Sequence, residues 1–151
     1  MLLLLFETSD GRYALDSRDV VEIIPLVIPK KITAAPVYMA GIINYRGEPV
    51  PVFDLCALAD GTPCKPLYST RIILVRYPLA AGREKLVGLI AERVTDVIRS
   101  GHPDLGASGI LIEEALNSPA AGSGNDGIIQ RFDLQGTIPK DVVCELFNLN
   151  P

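Results

Sequence analysis

The chain has no tryptophan and a single histidine, His102. A Ser–His–Asp arrangement needs a histidine placed beside a nucleophile, and zinc sites draw on several His or Cys residues at short spacing. His102 stands next to Pro103 in an irregular stretch and reads as an exposed loop residue. Cysteine is sparse: Cys56, Cys64 and Cys144, an odd number without C-x-x-C spacing. This pattern predicts no disulfide framework and no metal site, and each thiol reads as a small buried apolar group in a reducing cytosol. No basic excess exists: 14 Lys+Arg stand against 18 Asp+Glu, the net charge is −4 and the pI is about 4.9. Phosphate contacts need a cationic face, so nucleic acid is not an expected partner. No apolar run approaches the ~20 residues of a membrane-spanning helix, and the opening Leu2–Phe6 run lacks the basic flank and cleavage site of a signal peptide. No glycine-rich loop ending in Lys-Ser/Thr opens a helix, so a phosphate cradle is missing too. These absences predict a cytoplasmic, non-enzymatic protein with no cofactor, no metal and no direct membrane insertion.

What is present suits turns and strands. The 151 residues are 48% hydrophobic and 21% charged, enough apolar material for one domain with a core. Thirteen glycines and twelve prolines are many for a helical bundle. Leu2 to Thr8 and Arg12 to Asp16 flank Asp10-Gly11 and predict a hairpin. Asp16 or Ser17 can cap one helical turn before the β-branched Val20 to Ile24 run, which Pro25 and Pro29 confine to an edge. Met39 to Tyr45 and Pro49 to Leu55 predict two more strands, with Pro49 and Pro51 leaving one side of the second unpaired. Leu55 to Ala59 reads as a short helix closed at Asp60-Gly61. Asp54 and Asp60 invite comparison with an acid–base pair, but Asp54 at a strand end is better suited to accept backbone hydrogen bonds. Arg71 to Tyr77, Lys85 to Glu92 and Arg93 to Arg99 predict three strands. Ser100 to Asn125, rich in Gly, Ser and Ala, reads as a long loop with a strand or helical turn inside. Gly127 to Phe132 predicts a late strand, and Pro139 to Phe147 carries apolar residues at helical spacing. About eight to ten strands and a terminal helix indicate an all-β barrel or a pair of small barrels.

One segment carries more chemistry than the rest. Gly41 to Leu55, GIINYRGEPVPVFDL, sets Asn44-Tyr45-Arg46-Gly47-Glu48 between two apolar runs. Gly47 permits a positive φ, and Asn44 can accept a hydrogen bond across the turn. The guanidinium of Arg46 offers five donors in a rigid fork. Either it pairs internally with Glu48 or Asp54, or it anchors a partner protein, as Arg often does at interface hot spots.

The register of these residues resembles the CheW-like domain family, the adaptors of bacterial chemosensory arrays. The resemblance rests on Phe6 and Tyr13, Val20-Val21-Glu22-Ile23, Pro36, then Gly41, Asn44, Arg46, Gly47, Pro51, Val52, Asp54 and Leu55, and later Val87-Gly88-Leu89, Val94 and Val97. It runs from about Leu3 to Ile98. Glu92-Arg93 and Ser69-Thr70-Arg71 are similar to the accessory CheW-like proteins of Wsp-type surface-sensing systems, the WspB type. The resemblance implies two small five-stranded barrels packed together with a short C-terminal helix. Residues of about 1–20 and 85–151 would build one barrel and about 20–85 the other. It implies binding to the regulatory domain of a CheA-like histidine kinase and to the cytoplasmic tip of a methyl-accepting receptor, in arrays beneath the inner membrane. Val20, Glu22, Gly41, Asn44, Tyr45, Arg46, Gly47 and Gly88 fall on positions tied to that surface or to its shape. Contacts are expected from strand edges near Pro25 and Pro49 and from exposed Leu26 or Tyr45. The competing expectation is a β-barrel that senses a small ligand or peptide in its inter-barrel groove.

Overall fold

The computed structural model describes residues 2–99, 110–112 and 128–147. His102 and most of the Ser100 to Asn125 stretch lie outside the described residues. Nine strands and three helices follow in order: β1 (Leu2–Thr8), β2 (Gly11–Asp16), β3 (Val20–Pro25), β4 (Met39–Tyr45), β5 (Glu48–Asp54), α1 (Leu55–Asp60), β6 (Arg71–Pro78), β7 (Glu84–Arg99), β8 (Ile110–Ile112), β9 (Ile128–Arg131), α2 (Leu134–Thr137) and α3 (Lys140–Leu146). Short 3₁₀ turns at Ser17–Asp19 and Ala80–Gly82 complete the set.

One long strand ties the fold together. The sequence reads as two strands across Glu92-Arg93, yet β7 runs unbroken for 16 residues. Its first half pairs with β6 through Ala91 and with β5 through Ile90. Its second half pairs with β1 from Glu92 to Arg99. The register shifts between Leu5 and Glu7 on β1, opposite Arg93 at φ 48°, so a bulge turns the strand from one sheet into the other. Two five-stranded arrays result: β3-β6-β7-β5-β4 and β7-β1-β2-β9-β8. Neither array closes by a full ladder among the described residues. In the first, the nearest approach to closure is an isolated bridge: Lys30 and Ile42 exchange two backbone hydrogen bonds of 2.9 Å.

The prolines set pairing limits as their chemistry requires. β5 pairs with β7 only over Val52 to Asp54, beyond Pro49 and Pro51, whose missing N–H groups cannot extend the ladder. β3 is an edge strand, paired only with β6 among the named strands. Central strands β5 and β6 are buried on both faces, which is why they read as apolar runs rather than alternations. Val50, Val52, Ile72 and Leu74 fill the first array. Leu3, Leu5, Ala14 and Ile129 fill the second. The opposite faces, with Leu4, Phe6, Phe53, Ile73, Val75 and Tyr77, form a central cluster that α2 and α3 join through Leu134, Ile138 and Val143. Tyr77 is fully buried there, and its hydroxyl donates to the Ile138 carbonyl at 2.8 Å.

Local capping follows the sequence closely. Asp16 caps the first 3₁₀ turn by accepting from the Arg18 N–H at 3.0 Å, and Arg18 Nε and Nη2 grip the same carboxylate at 3.1 and 2.7 Å. The Arg18 side-chain hydrogen bond holds the Asp16 carboxyl below its ordinary value. A depressed folded-state value stabilises the fold above the unfolded value and the contribution is lost as pH falls through the folded one. Acid unfolding of the wild type should therefore steepen below about pH 4, and Asp16→Asn should flatten that limb, read by denaturant titration at about pH 3 and pH 7. Asp54 caps α1, accepting from Ala57 N at 3.0 Å and from Cys64 N at 3.1 Å, as its place at a strand end suggests. Gly61 closes the helix at φ 83°.

The expectation that the cysteines form no disulfide is overturned. Cys56 and Cys64 form a disulfide, with Cα atoms 5.0 Å apart. Their separation of eight residues gives no motif. Helix α1 and the turn at Gly61 fold the chain back so that the two side chains meet. Cys144 is free and buried, as expected.

Candidate functional site

The β4–β5 hairpin is closed by Arg46-Gly47, with φ 51° and 83°. Positive φ at both central residues is the pattern of a type I′ turn, whose twist matches the flanking strands. Asn44 Oδ1 accepts from Gly47 N at 2.8 Å and fastens the turn. The apex is thereby a rigid mount for the Arg46 side chain, which is 77% exposed.

The mount leans on the far edge of its own array. β3 and β4 are opposite edges of the five strands, yet the sheet curls until their side chains touch. The Tyr45 hydroxyl donates to Glu22 Oε2 on β3, and Arg46 Nη2 lies 3.7 Å from the same oxygen. The Arg46 guanidinium carbon sits 5.2 Å from the Tyr45 ring centre. The bond to Glu22, with some burial, pushes the Tyr45 hydroxyl pKa upward, so it remains a donor at neutral pH. Val20 and Glu22 flank a bulge on β3: they pair with consecutive residues Val75 and Leu74, and Val21 is the extra residue. Glu22 is thus aimed into the seam between the edges, while Val21 and Ile23 face outward, about two-fifths exposed. Arg46 pairs with Glu22 instead of Glu48 or Asp54, the internal partners its local sequence offered.

The structure sorts the eight singled-out positions into two groups. Glu22, Asn44, Tyr45, Arg46 and Gly47 come together at the apex and seam. Gly41, Gly88 and Val20 shape what lies beneath. Gly41 has φ 145°, and a Cβ there would lie 2.3 Å from the Lys30 carbonyl oxygen of the bridge. Gly88 is buried in the first array, where a Cβ would meet Ile72 and Val52 at 3.0 and 3.1 Å. Val20 is half-buried against the central cluster. Beside the apex lies an open hollow of about 670 Å³, bounded by Lys30, Ile32, Ile42, Asn44, Gly47 and Pro49. A second apolar groove of about 480 Å³ runs past Val27, Ile28, Val37, Pro63, Cys64 and Ile90.

The exposed apolar residues differ from those expected. Leu26 and Tyr45 are half-buried against the interior of the first array. Ile28 at 96%, Val37 at 67% and the fully exposed Tyr68 are among the bare ones. For Ile28 and Val37 the signal was present as apolar residues among Pro25, Pro29 and Pro36, where prolines prevent a full strand from covering them. Only Asp54, Cys56 and Cys64 bring three metal-capable groups within 4.8 Å among the described residues. The Asp54 oxygens already serve backbone N–H groups and the two sulfurs are bonded to each other, so the set does not suit a metal.

The overall fold has a counterpart in known proteins. A model of the CheW-like domain matches residues 2–141. The chain belongs to the CheW-like domain family. A probable chemotaxis protein CheW of Rhizobium etli is 31% identical over 96 residues, covering 64% of this chain and 59% of that protein. The chain thus spans about three-fifths of that relative. A chemotaxis protein CheW of Helicobacter pylori is 23% identical over 137 residues, covering 90% of this chain and 80% of that protein. The crystal structure of the scaffolding protein TtCheW from Thermoanaerobacter tengcongensis superposes with a TM-score of 0.65 at 25% identity, covering 90% of this chain and 86% of the other. The shared architecture is all-β with two barrel-like halves. No helix among the described residues is long and apolar enough to cross a membrane.

Proposed function

We propose that this protein is a non-enzymatic adaptor that couples a methyl-accepting receptor to a CheA-like histidine kinase. It would act in the cytoplasm at arrays beneath the inner membrane. The observation that carries this reading is the seam itself: Tyr45 and Arg46 at the hairpin apex approach one carboxylate oxygen of Glu22 on the opposite edge, and a rigid turn presents a largely exposed guanidinium there. Such a group costs little conformational entropy to engage, which is what an interface anchor needs. The relatives named as chemotaxis and scaffolding proteins support the same reading. Glu92-Arg93 and Ser69-Thr70-Arg71 point to the Wsp-type surface-sensing variant of this role.

The task is positional. A rigid body with two weak surfaces raises the effective concentration of each partner for the other, with no reacting group required. The apex, the hollow beside it and the outward face of β3 supply one surface. The groove past Ile28 and Val37 supplies a second apolar one. Sensing of a small ligand between the barrels finds less support, because the matched relatives are named as chemotaxis and scaffolding proteins.

The test is assembly from purified parts. The chain is mixed with the regulatory domain of its histidine kinase and with a receptor cytoplasmic fragment, first singly and then together, and the products are sized by light scattering. Two binary complexes and a ternary one are expected. Binding of neither partner would reject the adaptor reading.

A further inference from the structure

The cysteine pair lies apart from the seam, and Cys64 borders the second apolar groove. Cys56 is the second residue of α1 and is buried; Cys64 is half-buried in the loop that returns from α1 to β6. We propose that Cys56 and Cys64 are a reversible oxidation site, a thiol–disulfide couple that clamps the 61–70 loop to α1 and responds to peroxide.

Several observations converge on it. The loop is already placed by bonds that involve no sulfur. Cys64 N donates to the Asp54 carboxylate, Lys65 N donates to Glu92 Oε1 at 2.8 Å, and Val94 N donates to the Ser69 carbonyl at 3.0 Å. With the thiols reduced, these bonds hold the two Cα atoms within the separation that a disulfide requires. Closure therefore needs no rearrangement of the fold. The two residues also differ in exposure: Cys56 is nearly solvent-free and Cys64 is half-buried, so Cys64 is the more accessible to a small oxidant and Cys56 is placed to resolve it.

The chemistry balances with peroxide as the oxidant. The Cys64 thiolate attacks one peroxide oxygen, the O–O bond breaks, and after proton uptake water leaves and a sulfenic acid remains. The Cys56 sulfur then attacks the Cys64 sulfur; the S–O bond breaks, a second water leaves, and the disulfide forms. One hydrogen peroxide consumes two thiol hydrogens and yields two waters. A dithiol reductant reverses the sequence by exchange, becoming a disulfide itself.

The clamp has a structural reach. Pro63 and Cys64 form part of the groove that contains Val27, Ile28 and Val37. Beyond them the loop carries Leu67, 45% exposed, and a fully exposed Tyr68. Opening or closing the sulfur bond changes how firmly this wall of the groove is held, independently of Arg46 and Glu22.

The experiment compares the intact chain reduced with dithiothreitol, the same chain after hydrogen peroxide, and the Cys64→Ser chain. Remaining thiols are alkylated, and peptide mass spectrometry reads the Cys56–Cys64 linkage. Chymotrypsin, which cuts after exposed Leu67 and Tyr68, reports loop opening. Peroxide should form the linkage, and cleavage should slow by about tenfold or more, since the cross-link restricts the opened loop. Dithiothreitol should restore both the thiols and the fast cleavage, and peroxide should leave Cys64→Ser cleavage unchanged. If Cys64→Ser does not fold, oxidised and re-reduced wild type provide the same comparison. Cys56 and Cys64 both still alkylatable after peroxide treatment would overturn the proposal. So would a linkage without any change in cleavage, or uptake of one equivalent of zinc by the reduced chain with protection of both thiols.

Discussion

Arg46→Asn is expected to weaken partner binding by ~1–3 kcal/mol while leaving the fold as stable as before or slightly more so. The opposite signs follow from the turn. Arg46 sits at φ 51°, a left-handed conformation that costs an L-residue roughly 1 kcal/mol unless it is Asn, Asp or Gly. Asn-Gly is the preferred pair for a type I′ turn, so stability alone favours Asn at this position. The interactions that Arg46 makes within the chain do not compensate. Its ion pair with Glu22 spans 3.7 Å with the guanidinium largely in water, a pair worth ~0–1 kcal/mol. An arginine at a site where local energetics prefer asparagine is what the proposed contact outside the monomer would require. Isothermal titration against the kinase regulatory domain and against the receptor fragment, set beside a thermal melt, reads both signs at once.

Gly41→Ala should act in the reverse sense, losing stability by ~2–4 kcal/mol. The added Cβ would lie 2.3 Å from the Lys30 carbonyl oxygen, a backbone atom that cannot swing aside as a side chain would. Relief requires Lys30 to move away from Ile42, breaking both hydrogen bonds of the bridge between the two edges. Each bond contributes ~1 kcal/mol net, and the strain of holding φ 145° with a side chain adds to it. A fall in melting temperature with binding impaired only in proportion to the unfolded fraction would mark Gly41 as shaping the seam. Arg46 would show the complementary pattern, and the two variants together separate shape from contact.

Much of this was legible in the sequence because it rests on local backbone chemistry. Gly47 and Asn44 announce the turn, and Pro49 and Pro51 announce where β5 begins to pair with β7. Asp16, Asp54 and Gly61 announce their caps. Other features depend on pairs distant along the chain. Glu22 and Tyr45 are 23 residues apart and meet only because the array curls upon itself. The local sequence around Arg46 offers Glu48 and Asp54, and nothing nearby indicates that the edges approach. Likewise Glu92-Arg93 looks like a boundary between strands, because a charged pair interrupts two apolar runs. In the fold it is a bulge inside one strand: Arg93 pairs with Glu7 at 3.2 Å while the backbone continues into the second sheet. The disulfide is non-local in the same way, since eight residues of spacing acquire meaning only after α1 turns the chain back.

The most direct test of the adaptor account is hydrogen–deuterium exchange of the chain alone and in complex with each partner. Binding should protect the amides of the β4–β5 apex, residues 44–48, and those of β3 around Glu22, in at least one of the two complexes. Partner-induced protection confined to the β2–β9 side of the second array, with the apex exchanging as in the free chain, would contradict it.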